Sequence, residues 1–174
     1  ELYTGGKEEC ERLLALGLIN HIIPYSPHIT NERLGGCRNE TEKRKIGLAK
    51  ANQIGCSHFL FLDCDEYYFT DQFSKAKHLI EETGHSASVC KIQSYNKFPE
   101  LALRELEGYH VPFIHRISDG LKIGFQPYPY YSDPTRTTSH TTSFLFDPER
   151  IVMHHYTSIR KDIERKYRNS SAKH

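Results

Sequence analysis

The segment HFLFLDCDEYY, residues 58–68, ends an apolar run at three acidic residues, Asp63, Asp65 and Glu66. Carboxylates this close together repel one another and are costly to remove from water, so a positive partner is expected. Asp63 and Asp65 are two residues apart, and on an extended chain their side chains point to the same side and can face one cation. Oxygen ligands of this kind suit Mg²⁺ or Mn²⁺. The alternative is that a lysine or an arginine neutralises the acids.

The elements around these acids alternate between helix and strand patterns. SHFLFLD (57–63) is a continuous apolar run of the kind found in a central parallel strand. This alternation of helices and strands predicts an α/β domain with a mostly parallel sheet. In such a sheet, ligands bind at the carboxyl ends of the strands. The predicted helices are 7–17, 41–55 and 71–84, the other predicted strands are 20–26 and 86–95, and a loop is predicted over 27–40.

After about residue 96 the alternation gives way to a smaller region of mixed character. Short strands are predicted at 109–117, 122–128, 142–147 and 150–156. The stretch QPYPYYSDPTRTTSHTT (126–142) is rich in tyrosine and proline and is predicted to be a loop of functional importance. A closing helix is predicted over 158–171.

Composition indicates one globular domain of 174 residues, with 37% hydrophobic and 26% charged residues. No apolar run approaches the roughly 20 residues of a membrane span. Five cysteines without a Cys-x-x-Cys pair argue against a disulfide framework and a cysteine zinc site, so a cytoplasmic location is expected. Because the chain starts without Met and without an opening strand, we expect that its true N-terminus, including a first strand, is missing.

The segment RKIGLAKANQIGCSHFLFLDCDEYY (44–68) resembles the nucleotide-sugar half of a glycosyltransferase of the GT-A fold, closest to the bacterial family 2-like group. The residues that carry the resemblance are Arg44, Gly47, Gly55, Asp63 and Asp65. The resemblance implies a sheet of the nucleotide-diphospho-sugar transferase type in a single domain, 1–174. Residues 1–96 would bind the nucleotide sugar, and residues 97–174 would form the acceptor half with the basic C-terminal helix. It also implies that the Asp-x-Asp group binds a diphosphate through Mn²⁺ or Mg²⁺ and that Arg44 lies near the nucleotide.

The segment VMHHYTSIRKD (152–162) resembles the C-terminal part of such enzymes, which returns a histidine to the metal and a basic residue to the diphosphate. The resemblance implies that His155 is the third metal ligand and that Arg160 and Lys161 contact the diphosphate. From Arg160 to Lys173 the chain has six basic residues against two acidic ones, and this balance indicates an anionic partner. The alternatives are a structural histidine and a solvated helix face.

The predicted function is therefore metal-dependent transfer of a sugar from a nucleotide-diphosphate sugar, with a UDP-sugar as the first candidate, to a saccharide or glycan acceptor. No nucleic-acid partner is expected. An inverting enzyme needs a carboxylate to deprotonate the acceptor hydroxyl, and Asp133 is the first candidate, ahead of Glu100 and Asp119. An Asx-type turn before Pro134 is the alternative role for Asp133. The competing functions are a haloacid dehalogenase-type phosphatase, with the first Asp as nucleophile, and a non-catalytic sugar-nucleotide-binding domain.

Overall fold

A computed structural model describes residues 5–28 and 35–159 of the protein. Its helices are α1 (Gly5–Ala15), α2 (Gly35–Gln53) and α3 (Thr70–Thr83). Its strands are β1 (His58–Phe59), β2 (Glu66–Tyr67), β3 (Ala87–Asn96), β4 (His110–Arg116), β5 (Phe144–Leu145) and β6 (Val152–Ser158). No helix within these two stretches is long and apolar enough to cross a membrane.

The strands form one mixed sheet in the order β1-β4-β3-β6-β2, with β5 alongside β3. In the described part of the chain, β3 runs parallel to β5 and β6, while the pairs β1–β4, β3–β4 and β2–β6 are antiparallel. The predicted mixture of helices and strands is confirmed. The mostly parallel sheet is not confirmed, because three of these five pairings are antiparallel. Strand β3 belongs to the first half of the chain and pairs with strands of the second half, so both halves share one sheet.

The core lies between α3 and the inward face of the sheet. Ala76 and Ile80 of α3 pack in one cluster with Cys90 and Ile92 of β3, Phe113 of β4, and Met153 of β6. The alternation of buried and less buried residues along β3 after Cys90 is the pattern expected of a strand with one covered face. Helix α3 matches its predicted span, and it ends at Gly84, whose φ of 69° is left-handed and whose N–H donates to the Ile80 oxygen.

The apolar run before the acids is not a central parallel strand, and this prediction is wrong. Only His58 and Phe59 join the sheet, at its edge and antiparallel to β4. Beyond Phe59 the chain leaves the ladder, and the ring of Phe61 packs under the Arg44 guanidinium at 5.4 Å. Burial of Phe61 accounts for part of the apolar character of the run beyond Phe59. Leu62 is 54% exposed and does not contribute to the core in the same way.

Other local predictions differ in detail from the structure. Helix α2 begins at Gly35, within the predicted loop, and residues 20–26 form no strand. Residues 122–128 contribute only an isolated bridge between Ile123 and Thr138. The strand predictions for 86–95, 109–117 and 150–156 match β3, β4 and β6, and 142–147 shortens to β5. The predicted closing helix lies almost entirely outside the described residues, which end at Ile159.

Candidate functional site

The acids connect β1 to β2 in a tight turn, Asp63–Glu66, which we call the acid turn. Its backbone is closed by the N–H of Glu66, which donates to the Asp63 oxygen at 3.1 Å. The Glu66 carboxylate in turn accepts a hydrogen bond from the Asp63 N–H at 3.0 Å. Strand β6 holds the turn from the other side, because the Tyr156 N–H donates to the Asp65 backbone oxygen at 2.8 Å. The turn is therefore tied both to itself and to the sheet.

The positive partner of the acid turn is Arg136, which the sequence analysis did not single out. Its Nη1 donates to Glu66 Oε2 at 2.8 Å, and its Nη2 lies 2.5 Å from Asp63 Oδ2 and also contacts Glu66 Oε1. The side chains of Arg136 and Glu66 are only 5% and 3% exposed. A buried carboxylate of this kind is stable only with such a partner. The acids signalled that a cation was needed, but no local pattern marked residue 136 as its source.

Arg44 is a second buried cation at the same place. Its Nη2 lies 3.4 Å from Asp63 Oδ1, and its side chain is 8% exposed. Its Nη1 is buried and has no hydrogen-bond partner among the described residues. Partial burial pulls the pKa of Asp63 upward, but the charges of Arg136 and then of Arg44 outweigh it and hold that pKa below its usual value. Neutralisation by arginine, the alternative to a metal, is thus present at Asp63.

The two guanidiniums do not cancel all of the negative charge around them. Asp63, Glu66 and Asp133 bring three carboxylates to the contacts of Arg136. Burial lowers the pKa of Arg136, but its hydrogen bonds with Glu66 and the surrounding negative charges raise that pKa above its ordinary value. Asp63 remains 49% exposed and Asp133 45% exposed, so two carboxylates of the cluster still face solvent. The site can therefore offer oxygen ligands to a cation, while the two guanidiniums beside them are buried.

His155 is brought to the acid turn by the pairing of β2 with β6. The register places His155 opposite Glu66 and His154 opposite Tyr67. Side chains alternate along a strand, so the two histidines belong to different faces of the sheet. His154 is hydrogen-bonded to the Tyr95 hydroxyl at 2.7 Å, and burial lowers its pKa. Glu66, rather than Asp65, is the residue directly across from His155.

Asp133 lies beside Arg136 and is held in a turn. Its Oδ1 accepts hydrogen bonds from the backbone N–H and the hydroxyl of Thr135, both at 2.8 Å, which is the geometry of an Asx turn. Its Oδ2 is 3.7 Å from Arg136 Nε. The alternative role foreseen for Asp133 is thus present, and a role as general base stays a prediction. Asp119 lies in the loop 117–126, and within residues 5–28 and 35–159 neither Asp119 nor Glu100 has an ion pair with the acid turn.

Comparisons with protein-family models, with curated proteins and with solved structures find no match for this chain. Within 5–28 and 35–159 there is also no group of three or more His, Cys, Asp and Glu side chains arranged to hold a metal ion. The ligand set Asp63, Asp65 and His155 stays a prediction. The predicted phosphate contacts Arg160 and Lys161 lie outside the described residues.

A cleft of about 920 Å³ opens between α2 and the loop 117–126. Arg38, Lys45 and Asn52 line it from the helix, and Lys122 and Gln126 line it from the loop. The loop is connected to the segment that carries Arg136, because the Gly124 and Phe125 N–H groups donate to the backbone oxygens of Thr137 and Pro134 at 2.8 and 2.7 Å. The cleft and the acid turn therefore share helix α2 and the segment 134–137.

Proposed function

We propose that this protein is a metal-dependent glycosyltransferase with a fold of the GT-A type, which moves a sugar from a UDP-sugar to an acceptor hydroxyl of a saccharide. The observation that carries the proposal is the acid turn with two buried arginines in contact with it. A diphosphate bound to a divalent cation presents negative phosphate oxygens and a positive ion to the same site. Carboxylates suit the cation, and guanidiniums suit the phosphate oxygens.

The acid turn fits a hard divalent cation by the chemistry of its side chains. Mg²⁺ is usually held by one or two carboxylates and completes its shell with water and phosphate oxygens, so a cage made wholly of protein ligands is not required. Asp63, half-exposed, and Asp65 supply the carboxylates in this proposal, and His155 on the neighbouring strand is the candidate nitrogen ligand for Mn²⁺. The cation, when bound, neutralises the charge that develops on the leaving diphosphate.

The arginines take separate roles in this proposal. Arg44 has a buried Nη1 without a partner in the described part of the chain, and its side chain would have to turn outward for this nitrogen to donate to a phosphate oxygen of the donor. Arg136 uses two nitrogens on Glu66 and so keeps the acid turn in place. Arg160 and Lys161 would add positive charge on the diphosphate, and Asp133 would take the proton of the acceptor hydroxyl. The cleft beside α2, which is lined by both apolar and polar side chains, is large enough to receive the nucleoside.

The test of the activity is release of UDP from a panel of UDP-sugars, with and without Mn²⁺ and with mixed oligosaccharide acceptors. Release that requires Mn²⁺ is the expected result. Tight binding of the UDP-sugar without release in any combination would instead identify a non-catalytic binding domain. Hydrolysis of p-nitrophenyl phosphate in Mg²⁺, with no release of UDP, would identify a phosphatase.

Calorimetric titration with UDP in Mn²⁺ tests the metal site directly and needs no turnover. Asp65→Ala is expected to weaken Mn²⁺-dependent UDP binding at least tenfold, which is about 1.4 kcal/mol, while the circular dichroism spectrum stays unchanged. Asp71→Asn, in the exposed first turn of α3, is the matched control and should leave UDP affinity as it is. Unchanged UDP affinity in Asp65→Ala would rule out this cation site.

A further inference from the structure

We propose that Tyr109 and Tyr131 form a platform that binds a pyranose ring of the saccharide acceptor. This inference rests on the proposed function and names the place where its acceptor binds. The two residues, which we call the tyrosine pair, precede β4 and lie in the loop 126–142, respectively. They are 22 residues apart in sequence, so no local pattern predicts that they meet.

The tyrosine pair is an ordered aromatic surface that faces solvent. The ring centroids are 4.3 Å apart with 30° between the planes, and the two hydroxyls are hydrogen-bonded at 2.8 Å. Tyr109 is 41% exposed and Tyr131 is 68% exposed. The exposed part of each ring adds nothing to the core, and a restrained ring loses little conformational entropy when a ligand covers it.

Backbone hydrogen bonding holds the segments of Tyr109 and Tyr131 side by side, as in a short β-ladder. The His110 N–H donates to the Tyr131 oxygen at 2.8 Å, and His110 forms an isolated bridge with Ser132. Behind the pair, the ring of Tyr130 packs against His110 at 5.1 Å. Tyr130 thus supports the inner side of the segment, and Tyr131 is left on the outer side, as expected from the alternation of an extended chain.

The chemistry around the rings suits a sugar better than an apolar ligand. The axial C–H groups of a pyranose can lie on the negative face of a tyrosine ring. The mutual hydrogen bond uses one of the two phenol hydrogens, so the second can donate to a sugar oxygen. Asp133 follows Tyr131 by two residues, and its half-exposed carboxylate can accept from a sugar hydroxyl.

The tyrosine pair is linked to the acid turn by a close sequence neighbour, Asp133, and by two ion-pair contacts of Arg136. Asp133 is two residues from Tyr131, its Oδ2 is 3.7 Å from Arg136 Nε, and Arg136 Nη2 is 2.5 Å from Asp63 Oδ2. The link from Tyr131 to the carboxylate that would hold the donor's metal therefore passes through Asp133 and Arg136. A sugar on the platform would have its hydroxyls near Asp133, the candidate base.

The test uses the full chain with isotope-labelled tyrosine rings, observed by NMR. The probes are maltotetraose, cellotetraose, chitotetraose and xylotetraose at millimolar concentrations, and uridine, which has an aromatic base and no pyranose ring, serves as the control ligand. At least one oligosaccharide is expected to shift the Tyr109 and Tyr131 signals. Tyr131→Ala should weaken its affinity about tenfold, and Tyr131→Phe, which keeps the ring, should weaken it less. Phe98→Ala, which removes another exposed ring (57% exposed), is the control and should not change that affinity.

The outcomes separate this inference from the proposed activity. If no oligosaccharide shifts either tyrosine, or if uridine alone does so, the platform is not an acceptor site, whatever the assay of UDP release shows. If Tyr131→Ala and Phe98→Ala weaken saccharide binding equally, the sugar binds elsewhere. If oligosaccharides bind the pair but no UDP-sugar releases UDP, the binding site stands and the transferase proposal fails.

Discussion

Glu66 and Arg136 form a buried ion pair that contacts the acid turn. Because the pair is buried, each partner depends on the other for compensation of its charge. Both side chains are almost fully covered, and the guanidinium contacts both oxygens of the Glu66 carboxylate. A buried pair contributes little net stability compared with apolar packing, but removal of one partner leaves an uncompensated buried charge. The pair therefore acts mainly to hold the geometry of Asp63.

Glu66→Ala is expected to lower the free energy of unfolding by about 3 kcal/mol, because Arg136 then stays buried with only part of its negative partners. Urea unfolding followed by circular dichroism measures the change. Glu81→Ala is the matched control: its ion pair with Lys77 is long, at 3.7 Å, and exposed, so the change should stay below about 0.5 kcal/mol. Equal losses in the two variants would show that the Glu66 pair is not a buried charge.

At the scale of the elements, α2 and the loop 117–126 meet in a close contact at Gly124. This residue has a φ of 78°, and a Cβ placed on it would lie 2.4 Å from Thr41 Cγ2. Glycine is therefore required both by the left-handed backbone and by the space next to the helix. The contact sets the position of the loop that lines the cleft.

Gly124→Ala is expected to lower the free energy of unfolding by about 1 kcal/mol more than Gly120→Ala does, because only at Gly124 would the added Cβ also collide with a neighbouring side chain. Gly120 has a φ of 73° and nothing within 4 Å of its ideal Cβ position, so it isolates the backbone cost. Adding Thr41→Ala to Gly124→Ala should recover the additional loss, and thermal unfolding of the single and double variants measures it. If the effects of Thr41→Ala and Gly124→Ala on stability simply add, this result would contradict the close packing of the helix and loop.

At the scale of the whole molecule, His115 links the sheet to the loop 126–142. It is fully buried in β4, its ring stacks on Phe59 and on His140 at 5.4 and 5.7 Å, and its Nδ1 is 3.3 Å from the Thr138 hydroxyl. Burial, and then the nearby His140, lower the pKa of His115 to about 3. The folded protein therefore keeps this ring neutral at pH values where the unfolded chain protonates it.

The sign of the pH effect follows from this difference. The contribution of His115 to stability is fully present above about pH 6.5, the unfolded value, and is lost as the pH falls toward the folded value. His115→Phe is expected to reduce the loss of unfolding free energy between pH 7 and pH 5 by about 2 kcal/mol. His78→Gln, at an exposed position on α3, should leave that loss unchanged. Urea unfolding at both pH values measures it, and an unaltered slope in His115→Phe would contradict the neutral buried ring.

The elements with strong local patterns could be predicted from the sequence. The helical period of α3 with Gly84 after it, and the hydrophobic character of β3, β4 and β6, depend on neighbours a few residues away, so a short window contains the information. The carboxylates at 63, 65 and 66 likewise showed from the sequence alone that a concentrated negative charge needed compensation.

The tertiary structure decided which residues meet at the site. Any of the 23 lysines and arginines could satisfy the charge of the acid turn, and Arg136, 73 residues from Asp63, is the one that the fold brings there. The tertiary fold also decides the edge position of β1, the pairing of Glu66 with His155, and the contact within the tyrosine pair. Strand order and register depend on how all of the apolar faces are buried together, and that free energy is a property of the packed chain rather than of any one segment.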